Sequence, residues 1–364
     1  MSETCGLYVH IPFCDYHCHY CSFVTFLSDP CHVEKYVDYL IQEIQMYADV
    51  DRVIDTVYFG GGTPSVLTGE QMTRVMKAIR GNFFLDDRAE ISTEMNPESI
   101  TREKLEIFQT LGFNRFSVGA QSFNNQVLTY MGRLHRRADI FERIGWMKEL
   151  GMDNISLDLM FNNPGQNLEV LRDDLDQAMS LDINHISIYS LMIEPGTQFE
   201  RWLKKGQIRI RDDEEERQMY YLIKDTLAAY DFHQYEVSNF ARPGKMCRHN
   251  LKYWQQEDYL GIGLGASGNI GSMRYDNANN FIDYYDALDR REKPIGERVY
   301  LTNQEREVEY IMLAMRLLRG MSVTEMNKRY QINFLEKYKE VILKNKKAGL
   351  IILDGDYLNL RHVD

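Results

Sequence analysis

The chain reads as an α/β protein: an incomplete (β/α) barrel of six units, followed by a small winged-helix-like α+β domain. Three observations predict this. Over residues 1–200, short β-like runs alternate with helical patterns, which is how parallel βα units appear in sequence. Unusual polar or glycine-rich motifs stand directly after successive strand candidates. Residues 299–364 then read as helices followed by a hairpin.

The strand candidates are Leu7–Ile11, Thr56–Phe59, Glu90–Glu94, Arg115–Val118, Ile155–Met160 and His185–Leu191. Helical patterns fall between them at Cys31–Ala48, Gly69–Asn82, Arg102–Leu111, Ala138–Leu150 and Leu168–Leu181, with Gly112 and Gly151 placed to end two of them. Six units in this length fall short of the ~250 residues typical of an eight-unit barrel. The segments after the strands are the cysteine-rich loop, Gly60-Gly-Gly-Thr-Pro64, Glu94-Met-Asn-Pro97, Gly119-Ala-Gln-Ser122 and Pro164-Gly-Gln166. In parallel barrels, side chains that do chemistry gather at the C-terminal ends of the strands, and these motifs all fall there. A looser extension, 201–298, carries a helix at Asp212–Tyr230 and several aromatic segments. The last domain reads as helices Asn303–Arg319, Ser322–Tyr330 and Asn333–Ala348, then a hairpin of Ile351–Leu353 and Tyr357–Leu360 turned at Asp354-Gly355.

With 42 basic and 54 acidic residues, the net charge is −12. Such a chain lacks the overall positive field that draws proteins to nucleic acid or anionic lipid. Lys337, Lys339, Lys344, Lys346 and Lys347 are diluted by Glu336 and Glu340 and read as a solvated helix face. No run approaches the ~20 apolar residues of a membrane span, and Met-Ser-Glu-Thr-Cys at the N-terminus shows no export signal. Cys5, Cys31 and Cys247 are scattered, which argues for a reducing cytoplasm rather than a disulfide framework. The expectation is a cytoplasmic small-molecule enzyme or protein-binding module, with no nucleic-acid partner and no membrane span.

Cys14, Cys18 and Cys21 stand in HIPFCDYHCHYCSF. They supply one thiolate fewer than the four that normally hold an iron–sulfur cluster, so a cubane held here keeps one iron open. A zinc site completed by His17 or His19 is the alternative, as is one buried helix stripe of cysteine. Pro12 and the filler Asp15, Tyr16, His17, His19 and Tyr20 suit a loop better than a core.

The cysteine motif, GGGTP and the barrel together resemble the radical S-adenosylmethionine (SAM) enzymes over about the first 200 residues. The resemblance implies a [4Fe-4S] cluster on Cys14, Cys18 and Cys21, with SAM chelated to the open iron. Tyr8-Val-His-Ile-Pro-Phe-Cys14, Gly119-Ala-Gln-Ser-Phe123, Gly132-Arg-Leu-His135, Glu194-Pro-Gly-Thr197 and Tyr259-Leu-Gly-Ile-Gly263 extend it to nearly the whole chain. They are similar to the oxygen-independent coproporphyrinogen III oxidase (HemN) family and its heme-chaperone (HemW) branch. By matching motifs, the resemblance places Tyr8, Tyr20, Gly61, Gly62, Thr63, Glu94, Gln121, Arg133 and Asp158 around SAM. Arg133 offers a planar fork for a carboxylate, and Glu94 and Asp158 are acceptors for hydroxyl or ammonium groups.

Three features favour the chaperone branch over the oxidase. Phe23 stands where the oxidase has a further cysteine. The chain begins just ahead of the first strand, so an N-terminal arm of the oxidase kind is not expected. Cys247-Arg-His-Asn-Leu-Lys-Tyr-Trp254 contains His249-Asn250-x-x-Tyr253, the motif associated with heme binding in that branch. The resemblance therefore implies heme as cargo, a hemoprotein client and a reducing protein as electron donor. Oxidative decarboxylation of coproporphyrinogen III stays open as the alternative, and with it whether the chain is an enzyme. Two positions depart from the family pattern: Phe161-Asn-Asn-Pro-Gly-Gln replaces Tyr-Gly-Leu-Pro-Gly-Gln, and Ser267 stands where many relatives carry histidine.

Overall fold

A computed structural model describes residues 4–361. Six strands, β1 (Thr4–Ile11), β2 (Val53–Gly61), β3 (Phe84–Met95), β4 (Arg115–Gln121), β5 (Ile155–Phe161) and β6 (His185–Ser190), pair in parallel in chain order. The helices Pro30–Gln45, Gly69–Asn82, Arg102–Thr110, Arg137–Glu149 and Leu168–Ser180 connect them. The expected incomplete six-unit barrel is present. Local chemistry sets the helix starts: Asp29 caps Cys31 and His32 ahead of Pro30, and Thr68 and Gln71 form a reciprocal capping box.

The sheet runs on beyond these six strands at both edges. Tyr259–Ile262 joins β1 in parallel, and Ser267–Ile270, Met273–Asn277 and Ile295–Tyr300 follow it antiparallel. At the other edge, Asn239–Ala241 lies antiparallel to β6, with His233–Gln234 beyond. Residues 201–298, expected as a looser extension, thus supply strands to the barrel sheet. These strands are short, and Ser-Gly-Asn-Ile and Asn-Phe-Ala carry almost no two-residue hydrophobic alternation.

Alternation within the barrel strands separates cohesion from chemistry. Leu7, Val9, Val57, Phe59, Ile91, Phe116, Val118, Ile155 and Leu157 point to the helices and form the main core. Each such burial contributes about 1.5–3 kcal/mol. The opposite side chains, among them Tyr8, Thr56, Tyr58, Glu94, Ser117, Ser156, Asp158 and His185, meet one another inside the barrel. That interior is polar, unlike the branched aliphatic filling of closed barrels.

The last domain has its own core of Tyr310, Ala314, Met321, Val323, Met326, Phe334 and Leu358. Its hairpin, Ile351–Asp354 with Tyr357–Leu360, gains a third strand at Met321–Ser322. The first helix stops at Ala314 rather than Arg319. The helix expected over 333–348 breaks at Tyr338 into Phe334–Lys337 and Lys339–Lys347. There the Tyr338 hydroxyl and the Lys337 ammonium both donate to buried Glu307, at 2.6 and 2.8 Å. No described helix is long and apolar enough to cross a membrane.

Candidate cofactor site at the barrel mouth

The three cysteines lie on one anchored loop beyond the end of β1. Phe13–Cys14 pairs in parallel with Phe26–Leu27. The Phe26 amide donates to Pro12 O (2.8 Å) and the Ser28 amide to Cys14 O (2.9 Å), closing the loop at its base. Its far side is tied by His19 N to Met131 O (3.0 Å) and Phe199 N to His19 O (2.9 Å). All three thiols are half-buried and free of disulfides. The His19 ring is held elsewhere, its Nδ1 2.8 Å from Tyr130 O and its edge against Trp202. Ligation through His19 Nδ1 would have to break its contact with Tyr130 O.

Two sulfurs already carry polar neighbours. Thr63 Oγ1 donates to Cys14 Sγ (3.4 Å), and Arg133 Nη1 donates to Cys18 Sγ (3.5 Å). The Tyr20 hydroxyl also engages Cys18. Burial pushes Cys14 up to about 11, although its bond to Thr63 opposes this, so metal binding at this thiol releases a proton. Arg133 Nη2 reaches Asn96 Oδ1 (2.7 Å) and Gly119 O (2.9 Å). A Cβ on Gly119 would come within 2.9 Å of Asn96 Oδ1, so glycine there lets the guanidinium seat against the strand end. Gln121 follows a break in register after Gly119 and sits at φ 64°, a left-handed conformation that costs a non-glycine residue of order 1 kcal/mol.

The glycine triplet packs more tightly on the protein itself than the sequence suggested. Gly61 has φ 111°, and a Cβ there would strike the His10 ring at 2.6 Å; one on Gly62 would lie 2.6 Å from Phe13 O. Gly60 opens inward, where a Cβ would touch Tyr58, Tyr8 and Glu94.

Further inside, the Tyr58 hydroxyl donates to Glu94 Oε1 (2.8 Å), and Ser117 Oγ lies 3.0 Å from both oxygens of Asp158. Burial, together with the charge of Asp158, pushes Glu94 up to about 7 despite the Tyr58 bond. Burial raises Asp158 as well. Two carboxyls in one enclosed interior favour a cationic guest. The Tyr8 hydroxyl lies 3.0 Å from His10 Nδ1, and its ring stacks on Tyr58.

His249 lies at the opposite end of the barrel. Helix Arg248–Trp254 closes the floor beside the start of β2, whereas Thr63 follows the end of that strand. The imidazole is fully buried, with Nδ1 2.8 Å from Thr56 Oγ1 and Nε2 2.9 Å from the Tyr253 hydroxyl. It stacks on Tyr58 at 5.3 Å between ring centroids. Burial and the Lys252 charge push its pKa down to about 3, so the ring is neutral. Lys252 bridges Asp55 and Glu257, both at 2.9 Å, and holds the helix in place. Asn250 is half-buried on the same helix.

The two departing segments are locally satisfied. Asn162 adopts φ 63°, which asparagine tolerates, and its amide donates to Glu216 (3.0 Å). Ser267 is hydrogen-bonded to Asp276. Tyr16, Asn96 and His135 stood in quoted motifs without a role, and Tyr58 and Glu98 went unnoticed; all five touch the site. Asn96 lies within the strand-end segment Glu94–Pro97 and Glu98 directly after it, so that segment was the available signal.

Residues 8–178 match the radical SAM superfamily, and residues 301–361 match the HemN C-terminal domain. Fold, thiol triplet and matched motifs define a radical SAM protein, whose site takes a [4Fe-4S] cluster and SAM. The chain is 37% identical over 360 residues to the heme chaperone HemW of Bacillus subtilis, covering 98% of this chain and 94% of the relative. It is 35% identical over 353 residues to that of Lactococcus lactis, covering 97% and 92%. The chain belongs to the HemW family. The coproporphyrinogen III oxidase (HemN) of Escherichia coli shares the fold, with a TM-score of 0.86 at 23% identity over 99% of this chain and 86% of that one.

Proposed function

We infer that the chain is a heme chaperone that carries a [4Fe-4S] cluster, binds SAM at the cluster and delivers heme to a hemoprotein client. One observation carries the cluster part of this reading. Three half-buried thiols share an anchored loop at the barrel mouth, while Cys5 and Cys247 are buried away from it and Cys31 is exposed on the first helix. A cluster on Cys14, Cys18 and Cys21 supplies one-electron chemistry from an iron without a protein thiolate.

The chain's own residues then bind and orient SAM. Tyr8, Tyr20, Gly61, Gly62, Thr63, Glu94, Gln121, Arg133 and Asp158 would surround it. Arg133 matches a carboxylate in charge and shape, and the Glu94–Asp158 pair suits a sulfonium or ammonium group. A reducing protein would supply the electron. The six free cysteines support a reducing compartment such as the cytoplasm.

Heme would bind through the His249-Asn250-x-x-Tyr253 segment. A neutral imidazole can ligate iron without first losing a proton, and His249 is held neutral. In the closed floor seen here both its nitrogens are engaged. Ligation therefore requires Tyr253 to leave Nε2 and the helix to move off the floor. Heme titration of the reconstituted protein and of His249→Ala tests this. Weakened heme binding with an unchanged cluster spectrum is expected, and equal affinity in the two proteins would refute the role of His249.

A further inference from the structure

We propose that Glu98 is a positioning residue that clamps the cysteine loop to Arg133 and tunes the reduction potential of the cluster; this rests on the cluster assignment above. Glu98 follows β3 in a short 3-10 turn, Pro97–Ser99. One oxygen accepts from the Tyr16 hydroxyl at 2.6 Å. The other lies 3.1 Å from His135 Nδ1 and 4.0 Å from Arg133 Nη2. Tyr16 stands between Cys14 and Cys18 in the loop, and its ring lies against the Arg133 guanidinium, 5.7 Å from the centroid. Arg133 in turn donates to Cys18 Sγ. His135 is buried and anchored at its other nitrogen by Ala120 O (3.1 Å). One carboxylate thus joins the cysteine loop, the Gly132–His135 turn and the end of β3.

The joint has two separable consequences. Mechanically, it holds the loop at Tyr16, between the base at Phe13–Cys14 and the tie at His19. Electrostatically, it sets a negative charge behind Arg133, the cation nearest Cys18. Burial alone would raise the Glu98 pKa, but His135, Arg133 and the Tyr16 hydroxyl outweigh it and bring the group down to about 2. It is therefore ionised at any working pH. Removing that charge leaves Arg133 less screened and makes the cluster easier to reduce.

Glu98→Gln and Glu98→Ala separate the two effects. Glu98→Gln keeps a hydrogen-bonding group and is expected to bind the cluster with a reduction potential shifted positive of wild type, measured by EPR-monitored redox titration. Glu98→Ala removes the joint, and hydrogen exchange of the His19 amide, which donates to Met131 O, should rise about tenfold in the metal-free protein. That second readout needs no cluster, so it stands even if the cluster assignment fails. Wild-type exchange in Glu98→Ala would overturn the clamp, and a wild-type potential in Glu98→Gln would overturn the tuning. Failure of wild type itself to take up iron and sulfide would count against the cluster assignment instead.

Discussion

His249 Nδ1 lies 2.8 Å from the hydroxyl of Thr56, and this bond fastens the proposed heme-binding helix to the second barrel strand. With Tyr253 on the other nitrogen, the imidazole is a keystone of the floor in the closed state. Ligand and keystone are competing roles for one ring, and the competition makes the floor testable.

Replacing Tyr253 with Phe removes the partner of Nε2 and keeps the ring packing. One neutral hydrogen bond is worth about 1 kcal/mol, so we expect heme uptake to quicken roughly fivefold in stopped-flow Soret measurements. Slower uptake would mean that Tyr253 helps hold heme rather than holding the floor shut.

His249→Ala should also cost stability before any heme is added. It leaves a cavity under Tyr58 and strands Thr56 without its buried partner, an expected loss of about 2–4 kcal/mol. Denaturant unfolding of the metal-free protein measures it. A loss below ~0.5 kcal/mol would show that the floor is not packed as described.

Glu94 supplies a pH dependence whose sign is fixed. Its folded pKa, about 7, lies above its ordinary 4.5, so the folded state binds the proton more tightly than the unfolded chain. Its contribution is fully present below pH 4.5 and is lost as pH rises through 7. Glu94→Gln should therefore unfold at a higher temperature than wild type at pH 8, by a few degrees, with the gap closing toward pH 4.5. A gap that does not change with pH would place the carboxyl in water.

How much of this was legible in the sequence depends on which force fixed each part. The six barrel strands were readable because their outer faces pack on helices and repeat with period two. The cysteine loop was readable because Pro12 and its polar filler suit a loop better than a core. Edge strands such as Asn239–Ala241 are too short to show a period, so the extension's share in the sheet could not be read. Tyr58 looked like one more aromatic in a strand, and only the fold brings it between Glu94 and His249. The burial of His249 was equally hidden, because it depends on Gly6, whose missing side chain leaves room for His249, Lys252 and Thr56.

The family places this chain beside an oxidase in fold, and the distinction can be measured. Incubated anaerobically with coproporphyrinogen III, SAM and a reductant, the reconstituted protein should form no protoporphyrinogen. Accumulation of that product would make it an oxidase.

The central claim is an iron with no protein thiolate at the mouth of the barrel. Oxygen-free reconstitution followed by metal and acid-labile sulfide analysis, with EPR of the reduced protein before and after SAM, tests it most directly. We expect iron and sulfide in equal amounts, a spectrum that SAM perturbs, and loss of both on replacing Cys14, Cys18 or Cys21 by Ala. Zinc in the thiol triplet, or a cluster whose spectrum ignores SAM, would contradict it.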